Sequence, residues 1–412
     1  MMIQRAYKTE LKPTPEQIES FMAAGDVSRR VYNLAVRYRV SRYQETSKSV
    51  GRALTQAAYA AYRQSTSAAG LHDVSSRIPL YSLLSVDKAF ANFFRRLKSG
   101  KKSAPLGFPR CKRQDSPRRF QVWGGDVSIR DARIRLPRIG WIRLKERGYL
   151  PTTVRPTTVT VSERAGRWFV SIQAEMPHVD ETATGAPIGV DLGIKTMAVV
   201  SDGRTFANNR RAAAAHRRVR RLQRQLSRRK KGSQNRDKSK AALARAHYRA
   251  ACLRSNDIHQ ATAAVVGRGR PAGERPEAVC IEDLNVSGMV RNHHLARAIS
   301  DVGMAEFGRQ ITYKAAWGGS DVVEADRFYP SSKACSRCGR VKKSLPLDVR
   351  TYRCVCGLEI DRDLNAAINL RNLSTARAAG SDACGEDRSP ALCAGSLDEA
   401  GTNAQGAMYA AS

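Results

Sequence analysis

No apolar run in the sequence approaches the roughly 20 residues that cross a bilayer. Its opening stretch, MMIQRAYKTELKPTPEQ, has none of the apolar core that directs secretion. Neither a membrane-spanning nor an exported chain is expected, which leaves a cytoplasmic one. No internal repeat is visible. Acids are scarce: 37 Asp and Glu face 71 Lys and Arg, a net charge of +34. A chain this basic repels itself unless a polyanion neutralises it, so nucleic acid is the expected partner, with a membrane surface as the rival. Disulfides are not expected either. Of nine cysteines, four form two close pairs, which in a chain without an export signal points to a reducing compartment and a metal site.

What is present is enough for two or more domains in 412 residues. Residues 1–10 read as a strand. Thr14-Pro15-Glu16-Gln17 then gives a helix start, with Thr14 as N-cap and Gln17 closing a capping box. The pattern stays helical to Gly100; Val86, Phe90, Phe93, Phe94 and Leu97 recur at three- and four-residue spacing. Over 118–176 the period drops to two, as in Val159/Val161, and predicts an antiparallel β-domain, a small barrel that the N-terminal strand could join. Residues 185–373 alternate strands and helices, with two basic helices over 209–255 broken at Lys231-Gly232-Ser233. DRDLNAAINLRNL is a closing helix, and 374–412, rich in Ala, Gly, Ser and Asp without a period, reads as a disordered tail.

Metal-assisted hydrolysis of a phosphodiester needs carboxylates that converge from separate parts of a chain. Asp191 sits in the apolar run Ile-Gly-Val-Asp-Leu-Gly-Ile, where a buried acid is costly unless a metal or partner compensates it; the bland alternative is the polar face of an alternating strand. Glu282 ends the strand-like run Ala278-Val279-Cys280-Ile281, and Asp283, pointing the other way, is the weaker candidate. In Asp361-Arg362-Asp363, Asp361 suits an N-cap and Asp363 lies in the first helical turn, free to project toward a sheet. Mg2+ or Mn2+ suits such a carboxylate set. Cys335-x-x-Cys338 and Cys354-x-Cys356 form a four-thiolate pattern for a structural Zn2+. The run RRVRRLQRQLSRRKKGSQNRDKSK carries one acid, Asp237. It is read as a phosphate track, represented by Arg220, Arg221, Arg224 and Arg228.

GVDLGIK at 189–195, IEDLNVSGM at 281–289 and YPSSKACSRCG…YRCVCGLEIDRDLNAAINLRN together resemble the TnpB (OrfB) family of bacterial insertion sequences. YKTELKPTPEQ near the N-terminus and GFPR at 107–110 also look like it, so the likeness covers nearly all of the chain but the tail. Cys354-x-Cys356 is one residue tighter than the family's common form. The resemblance implies an RNA-guided DNA endonuclease, related to compact type V CRISPR effectors, with a guide RNA from the transposon end. It implies a short target-adjacent motif and target DNA cut by an RNase H-like RuvC domain, whose acids map to Asp191, Glu282 and Asp363. The implied architecture is α/β and multidomain: a wedge-like β-barrel over 1–10 and 106–180 and a helical recognition lobe over 11–105. The RuvC-like nuclease falls at 181–324 and 358–373, with an inserted zinc module at 325–357. A bacterial, nucleoid-associated location is also implied. A nuclease-dead guided repressor, an RNase H-like transposase and an RNA-binding scaffold are the other readings; the presence of all three acids argues against the repressor.

Overall fold

The computed structural model describes residues 2–65, 70–99, 107–150, 152, 155–177, 181–208, 210–346 and 348–381. The chain opens with β1 (Met2–Lys12) and α1 (Pro15–Thr46). The Thr14 hydroxyl accepts from the Gln17 backbone N–H at 3.4 Å, and the Gln17 side chain accepts from the Thr14 N–H at 3.1 Å, which satisfies two donors that a helix start leaves open. Helices α2 (Arg52–Gln64) and α3 (Arg77–Lys98) pack beside α1. The buried Arg39 ties all three together, ion-paired with Asp87 of α3 and donating to Thr55 of α2 at 2.8 Å.

Six further strands follow: β2 (Arg119–Trp123), β3 (Ser128–Arg130), β4 (Arg133–Leu136), β5 (Gly140–Leu144), β6 (Pro156–Arg164) and β7 (Arg167–Pro177). With β1 they make one antiparallel sheet in the order β2-β6-β7-β1-β5-β4-β3. β1 is central, paired with β7 from Met2–Pro177 to Leu11–Trp168, so the three helices are an excursion between the sheet's first two strands. Alternation supplies the core: Phe120, Val122, Val159, Val161, Val170 and Ile172 point inward and meet Phe21 and Val27 of α1.

The second unit begins with β8 (Ile188–Asp191), β9 (Thr196–Val200) and β10 (Thr205–Ala207). The helical hairpin α4 (Arg210–Ser227) and α5 (Gln234–Val265) follows, then β11 (Ala278–Glu282), α6 (Val286–Met289), α7 (His293–Val302), α8 (Met304–Gly318) and β12 (Asp321–Ala325). The five strands form a sheet in the order β10-β9-β8-β11-β12. β8, β11 and β12 run parallel, β9 is antiparallel to β8, and β10 to β9. The hairpin β13 (Thr351–Arg353) and β14 (Glu359–Asp361) leads into α9 (Arg362–Ser381).

The two faces of this sheet differ. Ile188, Val190, Val279 and Ile281 pack with Ile258 and Val265 of α5, Ile299 of α7, and Phe307 and Ile311 of α8. α9 covers the other face and lies very close: a Cβ on Gly189 would sit 2.1 Å from the Ala367 carbonyl oxygen, so only glycine admits the helix there. α9 also runs to Ser381, past the boundary of 373 where composition suggests a disordered tail. Ala and Arg in STARAAG are strong helix formers, which favours continuing the helix. The remainder of that tail lies outside the described residues. Among the described residues, no helix is long and apolar enough to cross a membrane.

Candidate active site

Strand alternation decides where the acids point. Ile188 and Val190 face the α5–α8 layer, so Gly189 and Asp191 face α9; Val279 and Ile281 do the same in β11, so Cys280 and Glu282 face α9. β8 and β11 are parallel neighbours with Val190 opposite Ile281. Asp191 and Glu282 therefore stand side by side where these strands end, on backbones about 4.8 Å apart. Asp363 joins them from the first turn of α9, the helix packed on β8. All three acids are half-buried. Burial first, then the negative charges of Glu282 and Asp363, push the Asp191 carboxyl up to about 8; Arg362 opposes this and Asp361 adds to it. A buried carboxyl held up by two nearby carboxylates is the kind of group that a cation would relieve.

The neighbouring acids have other partners. Asp361 accepts from the backbone N–H groups of Asp363 at 2.9 Å and Leu364 at 3.1 Å, as an N-cap does. Asp283 turns away from Glu282 and pairs with Arg327 at 2.6 Å. Arg350 stands 4.0 Å from Asp363.

The four cysteines come together. Their sulfurs all lie within 4.8 Å of one another, with Cys335–Cys356 and Cys338–Cys354 each at 3.6 Å. A tetrahedron of Zn–S bonds of about 2.3 Å has edges of about 3.8 Å, so this spacing is compatible with zinc. The tight second pair reaches because it sits in a knuckle matching the first. Gly339 and Gly357 follow the last cysteine of each pair at φ of +74° and +83°, and each donates its N–H to the carbonyl of the pair's first cysteine, at 2.9 and 3.0 Å. Against the penalty of desolvation, the backbone N–H groups of Cys338 and Arg337 draw the Cys335 thiol down to about 6, while against the Arg340 N–H the Cys335 and Cys354 sulfurs push the Cys338 thiol up to about 11.

Arg220, Arg221, Arg224 and Arg228 are exposed along α4, whose Val219 and Leu222 turn inward to Leu243 and Ala246 of α5. Three of them, with Gln225 and Arg229, line an open groove. They stand on a different element from the acids. Cations this dense at three- and four-residue spacing weaken their own helix unless an anion lies along it. His216 of α4 comes within 3.0 Å of Asp301 of α7.

The acids and cysteines are joined by residues whose roles spacing alone does not reveal. The Ser331 hydroxyl donates to Glu282 Oε1 at 2.5 Å. Asn365 Nδ2 donates to the Ala334 carbonyl at 2.7 Å while its Oδ1 accepts from Ser336 N–H at 3.0 Å. Asn369 Nδ2 donates to the carbonyls of Ser331 and Ala334 at 2.7 and 2.8 Å. The signal was present in YPSSKAC and in the asparagines of NAAIN, two polar residues four apart on an otherwise apolar helix face.

Comparison with known proteins matches residues 169–293 to the family described as "Probable transposase", OrfB_IS605, and 305–370 to the "Cas12f1-like, TNB domain". Residues 1–48 match a "Helix-turn-helix domain" of the same OrfB family; here that segment folds as β1 followed by α1. A protein of Streptomyces pristinaespiralis named "Putative RNA-guided DNA endonuclease" is 36% identical over 94% of this chain and 92% of its own length. The Escherichia coli protein of that name, InsQ, is 30% identical over 89% of this chain and 91% of its own. Among solved structures, the Cas12f1–sgRNA–target DNA complex covers 90% of this chain and 99% of that chain at 12% identity, with a TM-score of 0.47.

Proposed function

The chain belongs to the TnpB (OrfB) family, and from that membership we propose that it is an RNA-guided DNA endonuclease. It would hold a guide RNA from its transposon end, read a short motif beside the target, and cut DNA at Asp191, Glu282 and Asp363. The observation that carries this reading is the convergence of those acids on the α9 face of a sheet ordered β10-β9-β8-β11-β12, with only β9 reversed against its β8 neighbour and β10 against β9. That order and the central placement of β8 support an RNase H-like, RuvC-type assignment. The antiparallel sheet built around β1 is read as the wedge, α1–α3 as the recognition lobe.

Asp191, Glu282 and Asp363 would hold Mg2+ or Mn2+, which activates water and stabilises the leaving oxygen of the phosphodiester. Cys335, Cys338, Cys354 and Cys356 would hold one structural Zn2+, all four ligand positions being filled by protein. The arginines of α4 would bind phosphates without regard to sequence, leaving the choice of target to base pairing. The family's description as a transposase also admits strand transfer; the four-cysteine knuckle immediately before Asp363 favours the nuclease.

The deciding experiment changes the guide alone. Purified with its RNA, the protein should cut a matching target in Mg2+, stop in EDTA, and move its cut site when the guide sequence is changed. Equal cutting of the same target by RNA-free protein, or a cut site that stays put, would sink the guided reading.

A further inference from the structure

One short segment, Tyr329 to Ser336, links the four-cysteine cluster to the acid site. At one end lies Cys335, whose N–H donates to the Arg340 carbonyl at 2.9 Å to shape the knuckle. At the other lies Ser331, 5% exposed, its hydroxyl on Glu282. Between them the N–H groups of Lys333 and Ala334 both donate to the Pro330 carbonyl, at 3.0 and 2.9 Å, so the segment is one compact turn. Asn365 and Asn369 grip it from α9. Tyr352 of β13, fully buried, grips it from the cysteine side, donating to the Lys333 carbonyl at 3.0 Å.

We propose that Ser331 is a positioning residue for Glu282, held in place by the four-cysteine cluster, so that the cluster sets the cation affinity of a site it does not touch. The inference rests on the nuclease reading above only in taking Glu282 as a cation ligand. A free glutamate has several rotamers, and only some aim its oxygens between Asp191 and Asp363. The Ser331 hydroxyl occupies one lone pair of Oε1 and fixes the carboxylate's direction while leaving Oε2 open. At 5% exposure, water has little access to replace it. Groups that orient a metal ligand in this way typically govern affinity or activity by about 10- to 100-fold. The cluster enters because Ser331 has no helix or strand of its own. Its place is set by the turn, and the turn is closed by the knuckle on one side and by α9 on the other.

The test is a Mn2+ titration, read by electron paramagnetic resonance, of the full chain with its guide RNA, alongside zinc content and guided DNA binding. Ser331→Ala should raise the Mn2+ dissociation constant about 10- to 100-fold, keep about one zinc per chain as the knuckle would, and leave guided DNA binding unchanged. Ser331→Thr, which retains the hydroxyl, should stay within a few-fold of the unaltered protein. Cys356→Ser should lose zinc and weaken Mn2+ in the same direction as Ser331→Ala. Unaltered Mn2+ affinity in Ser331→Ala overturns the positioning role. Unaltered affinity in zinc-free Cys356→Ser overturns the link to the cluster. If the unaltered protein binds no Mn2+, the nuclease reading falls and this inference with it; Mn2+ bound equally by the unaltered protein and Ser331→Ala sinks the inference alone.

Discussion

Ile188, Val190, Val279 and Ile281 close one face of the five-stranded sheet against α5, α7 and α8, whereas Gly189, Asp191, Cys280 and Glu282 of the same two strands face α9. The first face is apolar and packed. The second admits a helix only because position 189 has no side chain, and it ends in Asp191, whose ionisation burial and the nearby acids oppose. A shift of one residue in either strand would exchange the two. Packing and the candidate acids are thus interleaved at single-residue spacing.

The sharpest break in this comparison comes from the acids. Asp191→Ala, Glu282→Ala and Asp363→Ala should each drop cleavage below detection while guided DNA binding persists, and double substitutions should add nothing further. Asp361→Ala should retain measurable cleavage and lose about 1 kcal/mol of stability with its cap. Cleavage and filter-binding assays on the four variants, with denaturant melts, check this; a dead Asp361→Ala beside a working Asp363→Ala would reverse the assignment. On the other face, Phe307→Ala should cost about 3–5 kcal/mol by leaving a cavity. Molecules that remain folded should keep their metal requirement, as urea melts and a Mg2+ titration would show.

A smaller effect separates the faces by pH. Unfolded, Asp191 loses its proton near pH 4; folded and without metal it keeps it to about 8. Between those values the folded chain binds more protons than the unfolded one, so metal-free stability falls as pH rises. Asp191→Asn should flatten that fall and, at pH 8 in EDTA, raise stability by about 2 kcal/mol, less than full linkage because the group still meets water. Thermal melts from pH 5 to 8 decide it; a variant less stable than its parent in EDTA contradicts the picture of repelling carboxylates. Least of all should the sheet notice replacement of Arg220, Arg221, Arg224 and Arg228 by Gln. Its melting should be unchanged, while RNA binding weakens across all sequences and the salt dependence of log K flattens by about 0.7–0.9 for each phosphate no longer neutralised.

Much of this was legible because period and chemistry agree. The apolar runs around Asp191 and before Glu282 flagged strands carrying acids, although β8 ends at Asp191 where the run suggested a strand passing through it, and the capping box at Thr14 announced α1. Asp361 and Asp363 could be separated because a cap accepts backbone N–H groups while a first-turn residue projects. Convergence of the acids was not legible from spacing, since it depends on β8 and β11 becoming parallel neighbours across an intervening helical hairpin. YPSSKAC marked the segment but not the role of Ser331: a serine in a turn has no period, and its role arises only when β11 delivers Glu282 to it. The extra length of α9 was hidden because Ala and Ser enrichment is shared by helices and by unstructured tails.

Helix α5 is 32 residues long, about 48 Å from end to end. Its first part pairs with α4 through Leu243 and Ala246, Tyr248 then meets Phe169 of β7 with ring centroids 5.7 Å apart, and Ile258, Ala261 and Val265 lie beneath the five-stranded sheet. The arginine hairpin is therefore a mast stepped in both units, and its reach and its azimuth can be set independently. Removing seven residues from each arm would lower the tip by about 10 Å and turn the remaining face by only about 20°. Removing five would swing that face by about 140°, away from any phosphate path it had followed.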